Sequence, residues 1–158
     1  MDILELTSDR RQEVLEKLGY FLKGDQQAIK LCIELLFIGH LWDDLIDKDK
    51  PRTDQEINQA FTWALGEIPI NPYFPGVYHL IRNAINQWQS ANELASGNED
   101  EKLMSFLIRN ALMEVVHYMM FLVGGPQWIQ DNGADFWRYF SQGMAGQYQG
   151  FLKEAENA

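Results

Sequence analysis

Asp43-Asp44-Leu45-Ile46-Asp47 spells D-D-x-x-D, three carboxylates within about one turn of chain. At helical spacing His40, Asp43, Asp44 and Asp47 share one face. The surrounding stretch is almost continuously apolar. From Ala28 to Ile46 the formal charges are Lys30, Glu34, Asp43 and Asp44. Carboxylates entering such surroundings need their desolvation cost offset, and a divalent cation is the usual means. Asp43, Asp44 and Asp47 would supply oxygen ligands for Mg²⁺ or Mn²⁺, with waters completing the shell and His40 as a further ligand. The competing reading is a solvated helix end, because Asp47, Lys48, Asp49, Lys50 and Pro51 follow in close order. Against it, carboxylates at a helix C-terminus oppose the macrodipole by a few tenths to about 1 kcal/mol each. If mutual repulsion dominates the cluster, Asp44→Asn stabilises the metal-free protein slightly.

A second set of polar residues interrupts another apolar segment. Asn110, Glu114 and His117 fall within one narrow arc among Leu107, Ile108, Leu112, Val115, Val116, Met119 and Met120. Glu-x-x-His is the spacing used in carboxylate-bridged di-metal bundles, so Glu114 and His117 are further metal-ligand candidates. One such pair is present where the full pattern needs two. The alternative is an ion pair between Glu114 and the neighbouring Arg109. Arg82, Arg109 and Arg138 are the arginines available to hold a phosphate, with His79 one turn before Arg82.

These residues need helices to position them, and the pattern predicts helices throughout. Apolar and polar residues do not alternate in runs of Val, Ile and Thr, which argues against a sheet. The first helix is predicted from Asp9 to Lys23, with Thr7 or Ser8 as N-cap and Gly24 as its stop. Asp25 caps the second, which reaches Lys48 before Pro51. A capping box, Thr53-x-x-Glu56, opens the third, which ends near Gly66. Three prolines between Glu67 and Gly76 predict a rigid loop that packs down as a lid or brace. A fourth helix is predicted from Val77 to Ala95. Asn98-x-x-Glu101 opens a fifth that continues to Val123, stopped by Gly124-Gly125-Pro126. A short turn near Gln127–Gln130 and a last helix from Ala134 to Glu154 complete the chain. Leu36, Phe37, Leu41, Leu107, Leu112 and Val116 are expected in the core, and the five tryptophans mostly so. Ile-Arg-Asn-Ala occurs at 81–84 and again at 108–111, a hint of a duplicated hairpin.

The chain of 158 residues suits one all-α domain, 1–158, a bundle of about six or seven helices around two central apolar ones. Hydrophobic residues are 46% and aromatics 13%, enough for a packed core rather than disorder. One cysteine, Cys32, precludes an intramolecular disulfide and a thiolate cluster and points to a reducing compartment. With no leader pattern and no long apolar run, a cytoplasmic, soluble protein is expected. The net charge of −10 makes nucleic acid and anionic membrane poor partners.

The aspartate motif on a long apolar helix of an all-α chain resembles the isoprenoid (terpenoid) synthase fold. That resemblance implies Mg²⁺ held by Asp43, Asp44 and Asp47, activating an allylic diphosphate. The family's second motif, another D-D-x-x-D or an Asn-Asp-x-x-Ser-x-x-x-Glu, has no counterpart here. Trp42 to Lys50, with Leu122 to Trp128, is also similar to small uncharacterised phage or prophage proteins. The leading expectation is thus a metal-binding helical protein that binds or acts on a phosphorylated small molecule. A non-enzymatic phage accessory or structural protein, binding a partner through its acidic face, is the alternative. An α-helical nucleotide pyrophosphohydrolase is a further one, of which Glu13-x-x-Glu16 meets the first half-signature. A homodimer is a further partner to test for. The chain holds no His-Asp dipeptide, which excludes an HD-type phosphohydrolase.

Overall fold

A computed structural model describes residues 8–48, 50–142 and 144–155. Among them all regular structure is helical, in seven α-helices. The expected N-cap Thr7 lies outside the described residues.

Helix α1, Ser8–Phe21, buries Val14, Leu18, Phe21 and the following Leu22, one stripe at helical spacing. Lys23 and Gly24 both turn left-handed, and the Gly24 amide donates back to the Gly19 carbonyl, closing the helix. Helix α2, Gln26–Asp47, starts at Asp25, whose carboxylate accepts from the amides of Gln27 and Ala28. It ends on a left-handed Lys48, ahead of Pro51. Helix α3, Asp54–Thr62, opens with the full Thr53–Glu56 capping box.

Helical winding then continues further than the sequence predicts. A π-helical turn, Trp63–Glu67, leads into a 3₁₀ turn, Ile68–Ile70. The wider winding rotates Trp63 edge-on to Phe37, at 5.0 Å, and brings Glu67 to Lys30 on α2, at 2.7 Å. The proline-rich segment is therefore largely helical. Pro75 occupies the start of α4, Phe74–Leu94, where its missing N–H costs nothing. Asn71 is the brace within it. Its side chain is buried, donating to the Gln27 carbonyl and accepting from the Tyr73 amide.

The predicted fifth helix is two. Helix α5, Glu99–Ile108, opens with the Asn98–Glu101 capping box, and the chain breaks at 109–111 before α6, Leu112–Phe140. One Ile-Arg-Asn-Ala copy lies inside α4 and the other spans this break, so the two are not equivalent in structure. Helix α5 packs on α4 through small residues. Buried Ser105 donates to the carbonyl of buried Ala91, at 2.7 Å. Its opposite face exposes Leu103, Met104 and Leu107, so Leu107, expected in the core, is 51% exposed.

Helix α6 is itself folded in two at Gly125, where φ is 78° and ψ −179°. The limbs 112–124 and 126–140 return antiparallel. The His117 ring meets those of Phe136 and Trp137 at 5.2 and 5.3 Å. Asn132-Gly133, between the predicted short turn and last helix, lies inside the second limb. A Cβ on Gly133 would stand 2.9 Å from His117 Nε2, so a larger residue there would have to displace the His117 ring. Helix α7, Met144–Ala155, packs on α5.

The core sits between α2 and the first limb of α6, with Leu31, Cys32, Leu35 and Leu36 against Val115, Val116, Met119 and Met120. Leu36, Leu41 and Val116 are buried as expected, whereas Phe37 and Leu112 are half-buried. The tryptophans are less buried than expected: Trp63, Trp88 and Trp128 are half-buried, and Trp42 and Trp137 exposed. Helix α1 seals the second limb. Phe21 meets Phe136 at 5.4 Å, and the Trp128 indole donates to the Phe21 carbonyl at 2.9 Å. Among the described residues no single helix is long and apolar enough to cross a membrane.

The backbone at Gly125 is one that only glycine adopts without strain. Gly125→Ala is expected to lower stability by about 1–3 kcal/mol, read as a fall in denaturant midpoint at unchanged slope. No change would mean that the limbs can meet through another turn.

Candidate functional site

The three aspartates do share a face at the end of α2, and each meets a different environment. Asp44 is buried. Arg52, in the turn before α3, lies on it with Nε 2.6 Å from Oδ2, and its Nη2 also reaches that oxygen. Both side chains are only 7% exposed, and Arg52 also donates to Glu56 at 3.2 Å. Asp43 accepts the indole N–H of Trp88 on α4, at 2.8 Å. Arg109, at the break after α5, stands 3.8 Å from Asp43 and 3.6 Å from Asp47. Arg109 is anchored from behind, donating to Asn92 at 2.8 Å and lying over the Phe151 ring. The positive charge beside the cluster thus comes from two arginines of neighbouring segments. The α2 face serves as a joint between α2, α3, α4 and α5. His40 is half-buried on the same face.

The other candidates lie elsewhere. Glu114 is exposed at the start of α6 and lines a cleft with Leu107, Met113, Trp137 and Met144. His117 is wedged between Phe136 and Trp137, its Nε2 buried without a hydrogen-bond partner. Burial pushes its pKa below the usual imidazole range, a shift that nearby Glu114 partly opposes. Among the described residues no three His, Cys, Asp or Glu side chains converge as a metal-ligand set. Of the phosphate-holding candidates, Arg109 is the one placed against the aspartates. Arg82 is exposed on α4, and Arg138 pairs with Asp135 at 2.5 Å. Glu13 pairs with Arg10 and accepts from Tyr139, and Glu16 accepts from Gln12. The Cys32 thiol, fully buried, has its pKa pushed up to about 12 by desolvation, so it is no nucleophile.

Sequence reasoning missed the two groups that matter most here. Arg52 could have been found, since a guanidinium eight residues beyond Asp44, across a proline turn, can fold back on it. Trp88 could not, because nothing local couples it to Asp43. Also missed is Glu34 on α2, 3% exposed, with Oε2 buried and unpartnered. Lys30 stands 3.7 Å away but is drawn toward Glu67 at 2.7 Å.

Desolvation raises the Glu34 pKa, with Lys30 only partly opposing it. A carboxyl held above its unfolded pKa favours the native state when protonated. That stability is present below the unfolded value, about 4.3, and is lost as pH rises through the folded one. Glu34→Gln is therefore expected to stabilise the protein at neutral pH and to flatten stability against pH above about 4. Urea denaturation across that range checks it. A variant less stable than wild type at neutral pH would show that the carboxylate is held by better partners than these.

Comparison with known protein families, with curated proteins and with solved structures gives no match for this chain.

Proposed function

We propose that this protein is a non-catalytic helical binding module, which acts by presenting a surface to a partner rather than by turning over a substrate. The observation that carries this reading is the pairing of Asp44 with Arg52 inside the fold, with Arg109 beside Asp43 and Asp47. The charge that suggested a metal is offset from within, so the motif has a structural use. The surface also carries exposed apolar side chains. Phe61, Leu65 and Ile70 are exposed around the π-helical turn, and Leu103, Met104 and Leu107 along α5. Contiguous apolar side chains outside the core favour partner binding.

A second reading keeps the isoprenoid-synthase-like chemistry. One observation favours it. Arg109 stands 3.6 Å or more from the two carboxylates it faces, beyond the roughly 2.7–2.9 Å of a charge-assisted hydrogen bond. Asp43 and Asp47 are also partly exposed. In this reading Mg²⁺ or Mn²⁺ binds these two carboxylates and Arg109 turns to a diphosphate.

Melting with and without millimolar Mg²⁺ or Mn²⁺ separates the two. A cation at a hundredfold excess over its Kd adds about 2.7 kcal/mol to native stability. The binding-module reading expects no change in Tm. A rise of several degrees that Asp43→Asn abolishes would overturn it in favour of the metal.

A further inference from the structure

The break between α5 and α6 and the fold-back of α6 leave a cleft of about 230 Å³. Leu107 forms one wall, Met113 and Glu114 another, and Trp137, Phe140 and Met144 close it. Glu114 is the one charged residue lining it, and among the described residues no cation lies within ion-pair reach of that carboxylate. The volume is below the roughly 300–1,000 Å³ of small-molecule sites, so it suits one large side chain better than a whole ligand. The apolar surface also runs past the mouth. Leu103 and Leu107 are one turn apart on the exposed face of α5, and Trp137 is 40% exposed. A small ligand would leave that stripe bare, whereas an elongated partner would cover it. Methionines on two walls can repack around an anchor without a rigid fit.

Charge decides between partners. A second copy of this chain would bring another −10 to the contact, so self-association is opposed and a cationic partner favoured. We propose that this cleft docks a basic amphipathic helix of another protein. One large apolar side chain seats between Leu107, Met113, Trp137 and Met144, and a lysine or arginine one turn along pairs with Glu114. The geometry is that of an amphipathic helix in a groove. The proposal rests on the binding-module reading and gives its surface.

The test uses the whole protein at physiological salt and fluorescence anisotropy with a labelled peptide, about five turns of leucine and lysine at helical spacing. A scrambled isomer keeps the charge and loses the apolar stripe. The stripe-bearing peptide is expected to bind about tenfold or more tighter than the isomer. Glu114→Gln should weaken it about three- to tenfold, and Leu107→Asp further. Glu16→Gln, at an exposed position of α1, removes the same charge and should leave binding unchanged. Both Glu114 and Leu107 are exposed, so these variants keep the fold, which circular dichroism confirms. Equal binding of the two peptides, or equal weakening by Glu16→Gln and Glu114→Gln, would reduce the attraction to net charge and overturn the proposal. So would displacement of the peptide by a tetraalkylammonium ion, which would mark a small-cation site, or Leu107-dependent self-association of the chain. Because the peptide assay contains no divalent metal, its failure leaves the binding-module reading standing. That reading falls only on the metal-dependent melting shift.

Discussion

Arg52→Ala is expected to cost about 3–5 kcal/mol, among the largest single losses available in this protein. The reason is an asymmetry of buried charge. Asp44 and Arg52 are each 7% exposed, and the carboxylate is held by two guanidinium nitrogens. Removing the arginine leaves Asp44 charged in an apolar setting, with Leu41 buried one turn away. The pair also ties the end of α2 to the start of α3, so its loss frees the turn at Pro51. This reverses the sign expected from repulsion alone. Asp44→Asn should destabilise, by less than Arg52→Ala, because Arg52 retains Glu56. The double variant Asp44→Leu/Arg52→Met should recover most of the loss, as apolar replacements of buried pairs commonly do. Urea midpoints of the wild type and these three variants check the ranking. If Arg52→Ala costs under about 1 kcal/mol, the guanidinium is not the partner that holds Asp44, and the carboxylate is available to another ligand.

Phe136→Ala should be comparably damaging, about 3–5 kcal/mol. Phe136 is fully buried, with Phe140 at 4.7 Å, His117 and Trp137 at 5.2 Å and Phe21 at 5.4 Å. It is the side chain through which both limbs of α6 and α1 touch. Truncation removes transfer free energy and leaves a cavity that three helices would have to close together. Phe136→Leu, which keeps most of the volume, should cost clearly less. Chemical denaturation gives the magnitudes, and near-ultraviolet circular dichroism reports the loosened aromatic cluster. A small loss in Phe136→Ala would mean that the second limb does not dock as described.

Much of the helical order was legible because helix ends are local chemistry. Asp25, the Thr53–Glu56 and Asn98–Glu101 boxes and the Gly124-Gly125-Pro126 turn each act through neighbours a few residues away. The errors share one cause, which is packing across distance. The break at 109–111 has no glycine or proline. It occurs where Ser105 is held to Ala91 and Arg109 reaches across to Asn92. Asn132-Gly133 falls between the predicted short turn and last helix, yet it lies mid-helix, with Gly133 against the distant His117 ring. Leu107 fits an apolar helix pattern equally well on either face, and only the docking of α5 on α4 selects which one is exposed. At the aspartate cluster the shared face was readable from spacing. What offsets its charge was readable only in part: Arg52 lies one turn beyond the helix, whereas Arg109 and Trp88 arrive from distant segments.

The sealing of the α6 hairpin by α1 has a consequence for synthesis on the ribosome. The two limbs of α6 are neighbours in the chain and can pair quickly once made. Helix α1 is made well before its partners in the second limb of α6. Phe21 waits for Trp128 and Glu13 for Tyr139, separations of 107 and 126 residues. Until then the Val14–Leu18–Leu22 stripe lacks its partners from α6. At about 5–20 residues per second that exposure lasts several seconds or longer. During that interval the apolar face of α1 is a point where the nascent chain is open to aggregation or to a chaperone.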